Sequence, residues 1–348
     1  MKRYSKPLGN LFAYKQDFFS KNAEKISEFK RIADIYINQP LRRNCKNCDA
    51  RISPDLPNFV KRDVRYFFCN VCGHLNGANE DTSEFVRCLY TDNNGQQYAT
   101  NYIEKDIEDF YSRMRDIYVP KAQFLKDSLL EYEQTLKGLS LCDFGAGAGY
   151  FVGANKEMGF TSVVGYEVSK ALVRFGNHVL GGLLYQHELE ETTEIVEKVE
   201  AEVISFIGVL EHTRELRSIL DAIRKNPSIR YIFFSVPLFS PTVVLETVFT
   251  NIMPRHLVAG HTHLYTETSI DYFCKEFGFK KISEWWFGLD FADFYRSILV
   301  SLELQKSEVS VLVNYWKSQF AALIDDLQQV LDRNHLCSEV HMLVRKKD

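Results

Sequence analysis

Two groups of residues in this 348-residue sequence have types and spacing that can do chemistry. The first is Cys45-x-x-Cys48 with, twenty residues further on, Cys69-x-x-Cys72. Four thiolates in two such knuckles meet the tetrahedral demand of Zn²⁺, and four protein ligands leave no open position, so the ion would be structural. Gly73 suits the tight turn after the second knuckle, and His74 adjoins the cluster without being needed as a ligand. Cys88, Cys142, Cys274 and Cys337 stand alone and read as small buried apolar side chains. The second group is Asp143-Phe144-Gly145-Ala146-Gly147-Ala148-Gly149, which closes an apolar run and opens a helical one. Glycines there permit a tight turn and let a ligand approach the backbone. A dinucleotide site would want a third glycine at position 150 to seat its pyrophosphate. Tyr150 stands there instead, and Asp143 suits a ligand carrying an amino group. One βα unit later a run ends in Glu167-Val168, a carboxylate that can accept both ribose hydroxyls of an adenosyl group beside an apolar flank for its base.

The elements that must hold these residues alternate. Strands are expected at 139–144, 162–168, 182–186, 202–207 and 231–236, with helices at 149–158, 169–180, 190–199 and 213–225. That order predicts a parallel sheet with helices on both faces. A helix at 267–277, a strand at 279–287, a helical stretch over 291–334 and an alternating last strand, 339–347, are expected to follow, the last at a sheet edge. Residues 1–40 read as a helical lead-in and 41–80 as a loop-rich module needing a staple. Residues 102–136 read as two helices broken at Pro120. The division implied is 1–95 for the N-terminal helix and zinc module, and 96–348 for an α/β domain with a helical insertion at about 291–334.

At this point a family resemblance can be read. DFGAGAG resembles the cofactor loop of class I S-adenosylmethionine-dependent methyltransferases, whose Rossmann-like sheet fits the expected order. FIGVLEHT (206–213) is similar to the segment after their fourth strand. SVPLFSP (235–241) with GHTHLYTETSIDYFCKEFGF (260–279) resembles bacterial polysaccharide-modifying members. The resemblance implies that Asp143, Gly145 and Gly147 line the methionine end of the cofactor, that Glu167 holds the ribose with Val168 beside the adenine, and that Gly208 and Val209 touch it from the fourth strand. For the adenine amino group, Gln186 and Glu188 are on offer, and Glu188 is the candidate. Glu211 and His212 match the family motif, although His212 can equally cap the next helix.

Three histidines, His256, His261 and His263, crowd the segment after the fifth strand. In a parallel sheet the ligand crevice lies beyond the carboxyl ends of the strands, where this segment must pass. His261 and His263 are the candidate catalytic bases, and at most one of them is expected to face the acceptor. Tyr98, Tyr102 and Tyr111 could cover the cofactor, and Trp285 and Trp286 could stack on a sugar face. The expected activity is methyl transfer to a sugar, nucleotide-sugar or glycan acceptor, at oxygen or carbon. A zinc module ahead of such a domain resembles nucleotide-sugar C-methyltransferases, but the helices at 291–334 depart from their larger C-terminal domain.

A zinc module also occurs in RNA methyltransferases, the alternative reading, for which the runs 41–43 (LRR) and 60–62 (VKR) are the basic hints. The net charge of −4 argues against a nucleic-acid partner. With 45% apolar and 25% charged residues the composition is that of a globular protein. No apolar run approaches membrane-spanning length, and no apolar stretch follows the basic residues of MKRYSKPLGNLF, so a cytoplasmic protein is expected. Tyr150 disfavours a nicotinamide dehydrogenase, and the intact Asp143, glycines and Glu167 disfavour a degenerate domain.

Overall fold

The computed structural model describes residues 1–6, 21–53, 55–90, 106–258, 261–305 and 309–347. Tyr98 and Tyr102 lie outside the described residues. The strands are β1 (Lys2–Tyr4), β2 (Asn58–Lys61), β3 (Val64–Phe68), β4 (Leu75–Gly77), β5 (Ser140–Phe144), β6 (Ser162–Glu167), β7 (Leu184–Gln186), β8 (Val203–Ile207), β9 (Tyr231–Pro237), β10 (His263–Leu264), β11 (Phe279–Phe287) and β12 (Glu339–Lys346). Eight of them make one sheet in the order β1-β11-β12-β9-β8-β5-β6-β7. From β7 to β9 all neighbours are parallel. Its two faces follow from the alternation of side chains along a strand. Ile232, Phe234 and Val236 of β9 enter one core, together with Leu216, Ile219 and Ile223 of the helix Leu216–Lys225. Tyr231 and Phe233 enter the other, with Phe124 and Leu125 of the helix Val119–Leu130 and Phe151 of the helix Tyr150–Met158. Burial on both sides is why β8 and β9 read as near-continuous apolar runs.

The expected strands and helices of this α/β sheet occur within a few residues of their predicted bounds. Pro120 sits in the first turn of the helix Val119–Leu130, where its missing N–H costs nothing, and the break before it is a π-helical turn, Met114–Tyr118. The last strand differs from expectation. β12 is no edge strand but lies between β9 and β11, antiparallel to both. Val340, Met342, Leu343 and Val344 are buried, so the strand is covered on both faces and only its charged ends reach water. The outer edge beyond β11 is taken by β1, which pairs parallel through Lys2–Tyr4; the lead-in is therefore a strand before it is a helix, Asn22–Ile37.

A second sheet, β10-β4-β3-β2, carries the cysteine module. β10 comes from residues 263–264, so the division expected at residue 95 is crossed twice, once by β1 and once by β10. The stretch expected to be helical at 291–334 comprises Asp290–Leu304, Ser310–Phe320 and Ile324–Arg333, with its own small core in which Tyr295 stacks on Trp316 at 5.8 Å. Among the described residues no helix is long and apolar enough to cross a membrane.

Candidate active site

The chain runs outward from β5 to β7 and then returns to continue from β8 to β9 on the other side, so the strand order reverses between β5 and β8. Loops leaving the carboxyl ends of these two strands diverge and leave a crevice. A cavity of about 360 Å³ occupies that place, a volume in the range of small-molecule sites. Asp143, Gly145, Gly147, Glu167, Val168, Gly208 and Val209, all expected to hold a cofactor, line it. Gly147 has φ +56, and a Cβ there would meet no protein atom, so its open side is where a ligand can approach the backbone. Gly145 has φ +66, and a Cβ there would lie 2.5 Å from Val209, so the loop packs against the segment after β8 only without a side chain.

The carboxylates of this wall have resident partners. Glu167 accepts hydrogen bonds from the backbone N–H groups of Gly147 and Ser169, both at 2.8 Å. It therefore ties the glycine loop to the start of the next helix as well as facing the cavity. Burial raises its carboxyl above the usual range. Asp143 accepts a 2.6 Å bond from the Ser205 hydroxyl, and burial pushes its carboxyl up to about 7 despite that bond. An approaching ammonium would reverse this shift.

Glu188, expected at the adenine, is not in the cavity wall. It is exposed, accepts from Gln186 Nε2 at 3.1 Å and caps the turn Leu189–Glu191. The wall there is His187, Leu189 and Thr192, with His187 Nε2 3.0 Å from the Thr192 hydroxyl. The short β7 ends at Gln186, and the turn after it sends Glu188 outward.

One part of the cavity wall is polar. Glu211, His212 and His261 converge there, with one ligand-capable atom from each lying within 4.8 Å of the others. Burial pushes the Glu211 carboxyl up to about 8. The His261 Nδ1 donates to the carbonyl of His256 at 2.8 Å, since a carbonyl can only accept; its Nε2 therefore holds a lone pair. Burial lowers this imidazole to about 4, so it is neutral at ordinary pH.

His263, the second catalytic candidate, is turned away. It is 1% exposed, and its Nδ1 lies 2.8 Å from Nε2 of His74. Residues i and i+2 of an extended strand share a face, so the rings part because the chain turns at His261, whose N–H donates to Val258 O at 2.7 Å, before β10 begins at His263. His256 is likewise buried and spent, its Nε2 donating to Leu238 at 2.5 Å.

Trp285 and Trp286 cannot stack on a sugar, because both are fully buried. Trp285 packs on Phe124 and His341, and Trp286 stacks on His335 at 3.9 Å. Tyr111 packs edge-on against Phe110 at 5.5 Å rather than lining the cavity.

The sequence reading missed Lys121, Ser235 and Glu339, which also line the cavity. Lys121 is buried, with its ammonium near the charges of Glu339, Asp143 and Glu211, and burial lowers it. A lysine between Pro120 and Ala122 on an otherwise apolar helix face is a weak hint. Glu339 gave none, because only the interior position of β12 brings it here.

The four cysteines form one buried cluster, with Cys45 Sγ 3.7 Å from Cys72 Sγ and Cys48 Sγ 3.5 Å from Cys69 Sγ. Both knuckles are closed by backbone bonds, Asp49 N–H to Cys45 O at 2.9 Å and Gly73 N–H to Cys69 O at 2.8 Å. Cys142, Cys274 and Cys337 are buried and Cys88 half-buried.

Residues 113–284 match the family described as a methyltransferase domain. No curated protein matches the chain. Among solved structures, it is similar to magnesium protoporphyrin IX methyltransferase from Synechocystis PCC 6803 (12% identity, 76% of this chain and 100% of that chain, TM-score 0.46). It is also similar to a SAM-dependent methyltransferase from Archaeoglobus fulgidus (15%, 65% and 94%, 0.38) and a cyclopropane synthase from Mycobacterium tuberculosis (13%, 67% and 85%, 0.42). Likeness this distant says nothing about the acceptor. The matched residues include the glycine loop, Glu167 and the segment after β8, which together wall the cavity; residues 113–284 of this chain match a methyltransferase domain, and the chain is an S-adenosylmethionine-dependent methyltransferase.

Proposed function

We propose that this enzyme methylates a sugar, free, nucleotide-linked or glycan-borne, and that the cysteine cluster holds one structural Zn²⁺. The observation that carries the acceptor reading is the polar part of the cavity wall: Glu211, His212, His261 and Lys121 present hydrogen-bonding groups beside the cofactor residues. An acceptor rich in hydroxyls fits such a wall, since polar groups there would be left unpaired by an apolar one. The likeness of Leu210-Glu211-His212 and of residues 235–241 and 260–279 to sugar-modifying enzymes points the same way. With both tryptophans buried, recognition rests on hydrogen bonds rather than stacking.

For a hydroxyl acceptor, the O–H bond breaks, the oxygen–methyl bond forms as the methyl–sulfur bond breaks, and a neutral thioether leaves. The donor is already activated, so alignment supplies much of the rate. His261 is the residue through which the acceptor loses its proton. The zinc reading rests on the donor set: a tetrahedral ion with bonds of ~2.3 Å places sulfurs ~3.8 Å apart, close to the two separations above.

The RNA reading loses three of its four basic residues, all but the exposed Arg43, to internal partners. Arg42 binds Asp81 at 3.0 Å and Glu80 at 3.1 Å, Lys61 is buried against Glu246 at 2.9 Å, and Arg62 donates to the carbonyls of Thr250 and Ile252. The test is a panel of free sugars, nucleotide sugars and RNA incubated with labelled S-adenosylmethionine. Label on the sugars supports the proposal, and label on RNA alone overturns it.

Two expectations concern the cofactor. Glu167→Ala weakens S-adenosylhomocysteine by ~1–3 kcal/mol, the cost of unpaired polar partners, because the ribose contact and the Gly147 tether are lost together. Calorimetric titration checks it, and an unchanged affinity would place the ribose elsewhere. Asp143 gives a pH dependence. Its carboxyl, raised to about 7, is protonated below that pH and cannot pair with the ligand's ammonium. The folded protein thus holds a proton that the unfolded chain has released between the ordinary aspartate range and 7, so this group's contribution to stability falls as pH rises through that window. Ligand affinity runs the opposite way: it should tighten from pH 6 to 8 and level off above, and Asp143→Asn should abolish the trend.

A further inference from the structure

We propose that Glu211, His212 and His261 form a site for one divalent first-row transition-metal ion at the acceptor end of the cavity, additional to the cysteine cluster. This rests on the reading that this end of the cavity receives the acceptor. Three observations carry it. Ligand-capable atoms of the three side chains lie within 4.8 Å of one another, with His212 Nε2 4.0 Å from Glu211 Oε1 and the two imidazole rings 5.0 Å apart. Two atoms on one ion at ~2.1 Å bonds lie at most ~4.2 Å apart, so small rotamer changes bring all three to bonding distance.

The second observation is Glu211 Oε2, which is buried with no hydrogen-bond partner on a side chain only 5% exposed that lines the cavity. Buried carboxylate oxygens are rarely left so, and an unbound ion is one of the recognised reasons. The third is the second shell of His261. Its Nδ1 is held by the His256 carbonyl, and His256 is in turn fixed by its bond to Leu238. A ring nitrogen tied to a carbonyl is the usual arrangement that orients a metal-binding imidazole and leaves the other nitrogen as the ligand.

Two imidazoles and one carboxylate suit Zn²⁺, Co²⁺, Fe²⁺ or Mn²⁺, whereas Mg²⁺ and Ca²⁺ prefer oxygen throughout. Three protein ligands leave positions open for the acceptor. A hydroxyl held there becomes more acidic, so His261 acts on the acceptor's proton through the ion, and the proton passes to water.

The test is equilibrium dialysis against CoCl2 of protein from which a mild chelator has removed all but one zinc per chain, the one held by the four cysteines, with both metals counted by elemental analysis. The expected result is one cobalt beside one zinc per chain. Cobalt affinity should fall at least ~10-fold in Glu211→Gln and in His261→Asn, with zinc retained. S-Adenosylhomocysteine binding on the same samples reports that each variant is folded. No cobalt beyond the zinc in the parent, or cobalt unchanged in both folded variants, overturns the site. Failure of the acceptor reading shows separately, as an absence of sugar methylation in protein that binds cobalt normally.

Discussion

His261→Asn should lower kcat by ~10²–10⁴-fold while leaving S-adenosylhomocysteine affinity nearly unchanged. The separation follows from where the contacts lie. The cofactor wall is built on the loops after β5, β6 and β8, whereas His261 reaches the cavity from the segment before β10. His263→Asn is the control two residues away, and its expected effect is of another kind. His263 is buried against His74 and does not line the cavity, so removing its imidazole leaves the buried Nε2 of His74 without its partner, while Nδ1 keeps Ser269. A loss of ~1–3 kcal/mol of stability should appear in thermal unfolding, with turnover per folded molecule largely kept. Steady-state kinetics and calorimetric titration of both variants check this. If His263→Asn had the larger kinetic effect, the cavity-facing residue of the pair would be wrongly assigned.

Cys69→Ser should abolish bound zinc, which elemental analysis of the parent should find at about one ion per chain, and with it most of the folding energy of the module. Structural zinc in small domains supplies ~10–16 kcal/mol of apparent binding free energy, and here it would add to the small core that Val64, Tyr66 and Leu75 of β3 and β4 share with Ala33 and Tyr36. From the sequence the N-terminal module is expected to unfold more than the catalytic domain. The structure extends the damage, because the module holds the acceptor-side segment in place. Gly77 N–H donates to Thr262 O at 2.7 Å, the Thr262 hydroxyl to Asp81 at 2.5 Å, Asn47 to Ser269 O at 3.0 Å and the Thr266 hydroxyl to Gly73 O at 3.1 Å. Thr262 directly follows His261. The variant should therefore still bind S-adenosylhomocysteine yet lose turnover at least as completely as His261→Asn. Full activity in a zinc-free variant would show that the module and the active site are independent.

The sequence by itself determined the features that are local. A turn with positive φ at Gly145 and Gly147 needs glycine wherever it occurs, so DFGAGAG after an apolar run fixed both the loop and its partner Glu167 one βα unit on. Each Cys-x-x-Cys knuckle holds its own two thiols within reach of one ion whatever the rest of the chain does. Tertiary structure alone decided whatever depends on which elements become neighbours. An apolar alternating strand looks the same at an edge and in the interior, so only pairing with β9 and β11 buried β12 and carried Glu339 into the cavity. Trp285 and Trp286 carry no mark of the helices and rings that bury them. A single exposed carboxylate two residues beyond a short strand can turn in or out, and the turn after β7 sent Glu188 out. The joining of Glu211 and His212 to His261, fifty residues later, and the anchoring of that segment to the cysteine module are long-range contacts. Their free energy comes from desolvation and pairing that no local pattern encodes.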